Sequence, residues 1–478
     1  MKFNLIYSKY VKDKWLDHGE RGKNEVWIHE KRIIPNCLNA PPKVFVGDSD
    51  DDPMGKEVLL EFNTRERDND FTLPYLRGEC NFDAREVFLQ DVSDEELKNQ
   101  INIFPIFPTS PAVCFESSPF TDYLSKREIK LIKDGILKLV IVNSSEAFEF
   151  EYIHPLEKNL KKVGLDKTEI IITTSDLSCN KNWKKHLLDD SDEFTYKSVC
   201  NIRFVPINYY STGLFISEQW FSDMKDKGIV PLQDSFLEKL KEKKKYKYLN
   251  YNGVGKPHRY YITSEICRKQ LDKYGLNSYL CWDSTPEDDI RIVKELFEGE
   301  KSSEAYKYFK IFNERLPLVL DYDKDVHKDG HRYSNLEHMV DSYFSIVTES
   351  LYFGYEHGDI PVSLQYTPTF FTEKTFRTLL YHPFILIAAP HSLKYLRESG
   401  YKTFPQLFDE SYDDIEDTLE RLKFINNEIE RVCNLEYKTL HEIYINDMIP
   451  IIRHNQKVFF DTNIKTLYEN FFKEILNV

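Results

Sequence analysis

Two loops in the second half of this chain carry residue types suited to holding a diphosphate. The first, Asn250-Tyr251-Asn252-Gly253-Val254-Gly255-Lys256-Pro257-His258-Arg259, supplies two asparagines, two glycines, and then His258 and Arg259 at the start of a helix. Glycine lets the backbone approach a ligand closely, and a helix start with an arginine in its first turn attracts phosphate. The spacing matches neither a Walker A loop nor the three-glycine dinucleotide fingerprint, so an ordinary strand-to-helix turn stays open beside phosphate binding. The second loop, Phe371-Thr372-Glu373-Lys374-Thr375-Phe376, reads as a helix start with Thr372 as N-cap and Glu373 in the first turn. Lys374 is unusual there, because cations favour the other end of a helix. A bound diphosphate would explain it, with Glu373 accepting ribose hydroxyls. A third loop, Thr348-Glu349-Ser350, offers Glu349 to a sugar hydroxyl or to solvent at a strand end.

Departure of a diphosphate builds negative charge that fixed Arg, Lys and helix-terminal N–H groups stabilise without a metal. An acceptor hydroxyl would still need a general base. Glu146, in Ser144-Ser145-Glu146, is the carboxylate nominated for that task. The plainer reading of Glu146 is an exposed loop residue.

Such residues need a scaffold that presents several loops at one edge. Residues 136–142 and 169–174 read as buried parallel strands joined through a helix at 155–163, which is a β-α-β unit. A strand at 201–207 and a charged helix at 234–244 follow. In the second half, strands are expected at 246–251, 277–282, 316–320, 344–349 and 383–389. Helices are expected at 258–274 ended by Gly275, at 284–297 capped by Ser284, at 373–381, at 392–399 ended by Gly400, and at 414–433. This alternation predicts an α/β fold with open parallel sheets, whose ligands bind beyond the carboxyl ends of the strands. Residues before Asp122 give no clear order. At 478 residues the chain exceeds the size of one core. The expected division is one α/β domain at 1–240, a second at 241–445 and a helical tail at 446–478.

The segment FFTEKTFRTLLYHPFILIAAPHSLKYLRESGYKTF, residues 370–404, resembles the T-E-K donor-domain motif of the fucosyltransferase-like glycosyltransferases. It is especially similar to the short versions in large DNA viruses, phages and environmental bacteria. Residues 246–259, YKYLNYNGVGKPHR, resemble the asparagine-then-His-Arg loop that opens the same domain. The likeness covers about 246–425, and 136–180 more loosely. It implies a GT-B arrangement of two Rossmann-like domains facing a cleft, a nucleoside-diphosphate sugar as co-substrate, no cofactor or metal, and a glycan or other hydroxyl acceptor. It also implies that Asn252 and Arg259 lie near the donor, with Lys374 and Arg259 on the diphosphate and Glu373 on the ribose; His258 and Thr372, in the same two loops, are read as part of the donor site. Glu349 matches the glutamate on the strand before the T-E-K helix. The basic pair that usually follows the asparagine is Gly253-Val254 here, so nucleotide and sugar identity do not carry over.

Composition narrows the alternatives. A formal charge of −15, with 41% hydrophobic and 30% charged residues, describes a folded chain not built to grip nucleic-acid backbones. The lysine-rich run 241–247 reads as a solvated surface or linker. None of the eight cysteines forms a C-x-x-C pair, and no segment approaches the length of apolar residues that spans a membrane, so a cytoplasmic protein is expected, in the host cell if viral. The histidines in 327–338 and 382–391 lack paired-ligand spacing and read as structural. Two other functions stay in view. One is a metal-dependent GT-A transferase using Asp321 and Asp323, or Asp48 and Asp50, and the other is an inactive sugar-binding or structural relative.

Overall fold

The computed structural model describes residues 2–7, 44–46, 58–60, 83–106, 115, 119–143, 148, 150–188, 200–207, 230–280, 301–320, 336–352, 368–461 and 470–475. Glu146, the Asp48 and Asp50 pair, the expected helix 284–297, Asp321, Asp323 and His327 lie outside these residues.

The chain divides into two compact units, Met1–Tyr209 with Asn463–Val478, and Tyr210–Thr462. These bounds differ from the expected 1–240, 241–445 and separate tail. The helix Asp234–Leu240 belongs to the second unit, where Phe236 packs edge-on against Tyr381 at 5.5 Å. The helix Ile449–Asp461 does too, with Phe459 beside Phe376. The last residues instead return to the first unit, where the Arg203 guanidinium donates to the carbonyls of Glu474 (2.7 Å) and Ile475 (3.0 Å).

The first unit is a six-stranded parallel sheet. Its strands are β1 (Lys2–Tyr7), β4 (Asp83–Phe88), β5 (Asn102–Ile106), β6 (Lys138–Asn143), β7 (Glu169–Thr174) and β8 (Asn201–Pro206), in the order β4-β1-β5-β6-β7-β8. The short strands β2 (Val44–Val46) and β3 (Val58–Leu60) form an antiparallel pair of their own. Strands β6 and β7 are apolar and buried on both faces, as the inner strands of a parallel sheet must be. The helix Ile153–Val163 lies between them in sequence and buries Ile153, Leu156 and Leu160. Strands β1, β4 and β5 were not legible in the sequence.

The second unit holds a four-stranded parallel sheet in the order β10-β9-β11-β12, with β9 at Tyr246–Asn252, β10 at Gly275–Tyr279, β11 at Ser342–Thr348 and β12 at Phe384–Ile387. From β9 the chain moves outward to β10, then returns to place β11 on the other side of β9. The strand order therefore reverses between β9 and β11, the place where open α/β sheets form a ligand crevice.

Three expectations for this unit need correction. Residues 316–320 are not a buried strand, since only Leu318 makes a bridge, antiparallel to Tyr279, and Val319 is 55% exposed. The helix after β9 ends at Arg268, and Leu271–Tyr274 forms a separate 3-10 turn. The lysine run is not all solvated. Lys247 is buried, its ammonium donating to the Cys433 and Leu435 carbonyls (both 2.7 Å) while lying over the Tyr274 and Tyr437 rings. It thus binds carbonyls at the end of the helix Thr418–Cys433, where a cation is favoured. Burial also lowers the Lys244 ammonium pKa to about 8.

No helix among the described residues is long and apolar enough to cross a membrane.

Candidate functional site

The carboxyl ends of β9 and β11 are held together by polar side chains. Asn252, the last residue of β9, accepts a 2.7 Å hydrogen bond at Oδ1 from the Thr348 hydroxyl at the end of β11. Its amide donates to Asn250 Oδ1 at 3.0 Å, and Asn250 in turn donates to Thr263 and to Asn277 on β10. A buried amide is expensive unless it is bonded, and here each asparagine supplies the next.

The next residue after β11 is Glu349, whose side chain is 0% exposed. Its carboxylate accepts hydrogen bonds from the Thr372 backbone N–H (3.0 Å), the Thr372 hydroxyl (2.7 Å) and the Thr375 hydroxyl (2.5 Å). Its own N–H donates to Ile387 of β12, and its carbonyl accepts from His258 (2.9 Å) and Arg259 (3.3 Å). Glu349 does not reach outward to a sugar hydroxyl, as one reading of the sequence had it. The start of the helix Glu373–Leu379 offers three donors, and the carboxylate turns inward to meet them.

Thr372 is the N-cap that its position implies, accepting from the Lys374 N–H at 3.3 Å. The Lys374 ammonium donates to Thr372 Oγ1 (2.9 Å) and Ser350 Oγ (3.3 Å), and stands 3.6 Å from Glu373 and 3.8 Å from Glu349. Its side chain keeps 33% exposure, against 13% for Glu373.

Arg259 departs from expectation. It is 4% exposed rather than a partly exposed cation, with Nη1 donating to the Val254 carbonyl and Nη2 to those of Thr348 and Glu349. The guanidinium therefore clamps the loop after β9 onto the end of β11. His258 is fully buried, donates from Nε2 to the Glu349 carbonyl, and stacks on Tyr352 at 5.3 Å. Burial pushes its pKa well below the usual histidine value, and Arg259, Lys256 and Lys374 push it further in the same direction.

All seven donor-side residues read from the sequence, Asn252, His258, Arg259, Glu349, Thr372, Glu373 and Lys374, thus belong to one connected network at the strand ends. Their roles divide more sharply than their types suggested: Lys374 and Glu373 retain exposure, whereas Asn252, His258, Arg259, Glu349 and Thr372 are buried and build the site. Three contributors were missed. Ser350 lies in the Thr348-Glu349-Ser350 loop, and its proximity to Glu349 was the available signal. Tyr352 carries His258 on its ring, and Arg421 lies 4.7 Å over the Tyr352 ring while donating to the Ile415 carbonyl. Arg421 falls four residues before Ile425 on a buried helix face, a position where a charge signals a dedicated partner.

Three other histidines among the described residues have local partners. His382 bonds Ser345 at 2.6 Å, His338 bonds Tyr251 at 2.5 Å, and His391 lies 3.0 Å from Glu416. Among the described residues no group of three or more His, Cys, Asp or Glu is placed to hold a metal ion. Comparison with protein-family models, with curated proteins and with solved structures gave no match to this chain.

Proposed function

We propose that this chain is a glycosyltransferase that moves a sugar from a nucleoside-diphosphate sugar to an acceptor hydroxyl, with the diphosphate at the carboxyl ends of β9 and β11. The observation that carries this reading is the part-exposed Lys374 ammonium, seated 2.9 Å from Thr372 Oγ1, with Arg259 on the Glu349 carbonyl beside it, at the point where the strand order of a parallel sheet reverses. The resemblance of the two loops to the T-E-K family points the same way, and the two-Rossmann GT-B architecture is part of the proposal.

In this reading the bond from the anomeric carbon to the diphosphate oxygen breaks and the acceptor oxygen forms the new one. Lys374 stabilises the charge on the departing diphosphate, and Arg259 contributes from behind the loop it clamps. Because these groups are fixed before the reaction, little reorganisation is needed as charge develops. Glu373 accepts the ribose hydroxyls. The acceptor proton passes to a carboxylate, for which Glu146 is proposed.

Isothermal calorimetry with nucleoside diphosphates tests the binding half. Lys374→Ala should weaken affinity by about 1.5 to 3 kcal/mol, since it removes one charge-assisted hydrogen bond to the ligand, while a cooperative thermal melt shows that the variant still folds. Equal affinity in wild type and variant would remove Lys374 from the site. For the chemical half, Glu146→Gln should lower turnover by roughly 10²-fold at nearly constant donor affinity, and full activity would reject that residue.

A further inference from the structure

We propose that Glu349 is a positioning residue that sets where the Lys374 ammonium stands, acting through the Thr372 hydroxyl. This rests on the reading of Lys374 as the diphosphate contact. A hydroxyl has one proton to donate and two lone pairs to accept with. At Thr372 all three are committed. The proton goes to Glu349 Oε2 (2.7 Å), and the lone pairs accept from the Lys374 N–H (3.3 Å) and the Lys374 ammonium (2.9 Å). The buried carboxylate therefore fixes the rotation of the hydroxyl, and that rotation creates the seat for the ammonium. The Glu349 charge, 3.8 Å from Lys374 Nζ, adds direct attraction.

The arrangement makes the charge of Glu349 matter, not only its shape. A glutamine of the same size would keep its carbonyl on the Thr372 N–H and Thr375 hydroxyl, which both meet Oε1. Its NH₂ group would then face Thr372 Oγ1. Two lone pairs would confront three donors, and the ammonium is the donor able to leave, since water replaces its partner. The reverse orientation is worse, because it sets an NH₂ group against the backbone N–H.

Amine acylation with acetic anhydride, followed by peptide mass spectrometry, reads the position of Lys374 without any ligand. In Glu349→Gln, Lys374 should be acylated several-fold faster than in wild type, while buried Lys247 is labelled at its wild-type rate. Thr372→Val removes the hydroxyl and keeps the carboxylate; it should free Lys374 in the same way, and it decides the matter if the glutamine variant does not fold. An unchanged Lys374 rate overturns the proposal. So does a parallel rise at Lys247, which would mean general loosening. Calorimetry with GDP and UDP supplies the second arm: Glu349→Gln should weaken whichever diphosphate binds, and should add nothing once Lys374 is alanine. If wild type binds neither, the functional reading fails, while the labelling result still decides the role of Glu349.

Discussion

Neutral, buried imidazoles make this protein sensitive to acid at single residues. His382 is fully buried, bonded to Ser345 through Nε2 and facing the Ser342 carbonyl through Nδ1. Burial, opposed by the Ser342 carbonyl and reinforced by Lys244, lowers its pKa from 6.5 to about 3. Between those values the unfolded chain takes up a proton that the folded chain refuses. His382 thus contributes stability that is fully present above pH 6.5 and is lost as pH falls toward 3, by about 1.4 kcal/mol per pH unit. Urea unfolding at pH 7, 6 and 5 should show this slope, and His382→Asn should reduce proton uptake on unfolding at pH 5 by about one. An unchanged slope would contradict it. His258, shifted in the same direction, supplies part of the slope that remains. At this scale the sequence was a good guide to residue type and a weak one to direction. The Thr372 cap was legible because capping is decided within a few neighbouring residues. The inward turn of Glu349 was not, because its partners lie 23 and 26 residues away in the chain.

Elements were legible where a local pattern was reinforced by packing. Strand β7 falls at the expected residues, and the T-E-K helix starts where the cap places it. Gly400, with φ of 90°, follows the helix Ser392–Glu398 in the left-handed region that glycine tolerates, as expected. Gly275 has a different reason to be glycine. Its backbone is extended and opens β10, but a Cβ there would lie 2.5 Å from the Tyr248 ring. That ring cannot yield, being fully buried with its hydroxyl bonded to Leu271 and Asn277. Gly275→Ala should therefore destabilise the second unit by about 1 to 3 kcal/mol, as overpacking does. A melting temperature equal to wild type would show that the ring does move. The misread helix ending at Gly275 and the misread strand at 316–320 share a cause. Glycine marks close approach as well as helix ends, and a short apolar run such as Leu-Pro-Leu-Val-Leu does not reveal whether a sheet has room for it.

On the scale of the whole molecule, an acidic chain places Arg259 and Lys374 at the edge where its second sheet reverses strand order. The α/β class with parallel sheets was readable from alternating apolar runs and helix signals after residue 122. The first unit was only half readable, because β1 lies far in sequence from β4 and β5 and joins them only through long-range pairing. Unit boundaries were misplaced for a related reason: residues 463–478 return to the first unit, and no local signal announces such a return. We propose that this sheet edge binds a nucleoside diphosphate through fixed cations and needs no divalent metal to do so. The most direct measurement is a thermal-shift titration with nucleoside diphosphates and their sugars, run in EDTA, on wild type and Lys374→Ala. A ligand that binds only the folded state raises the melting temperature with concentration. Wild type should show such a rise with at least one diphosphate, and the rise should be largely lost in Lys374→Ala. No rise with any of them, or a rise that appears only when Mg²⁺ or Mn²⁺ is restored, would contradict it.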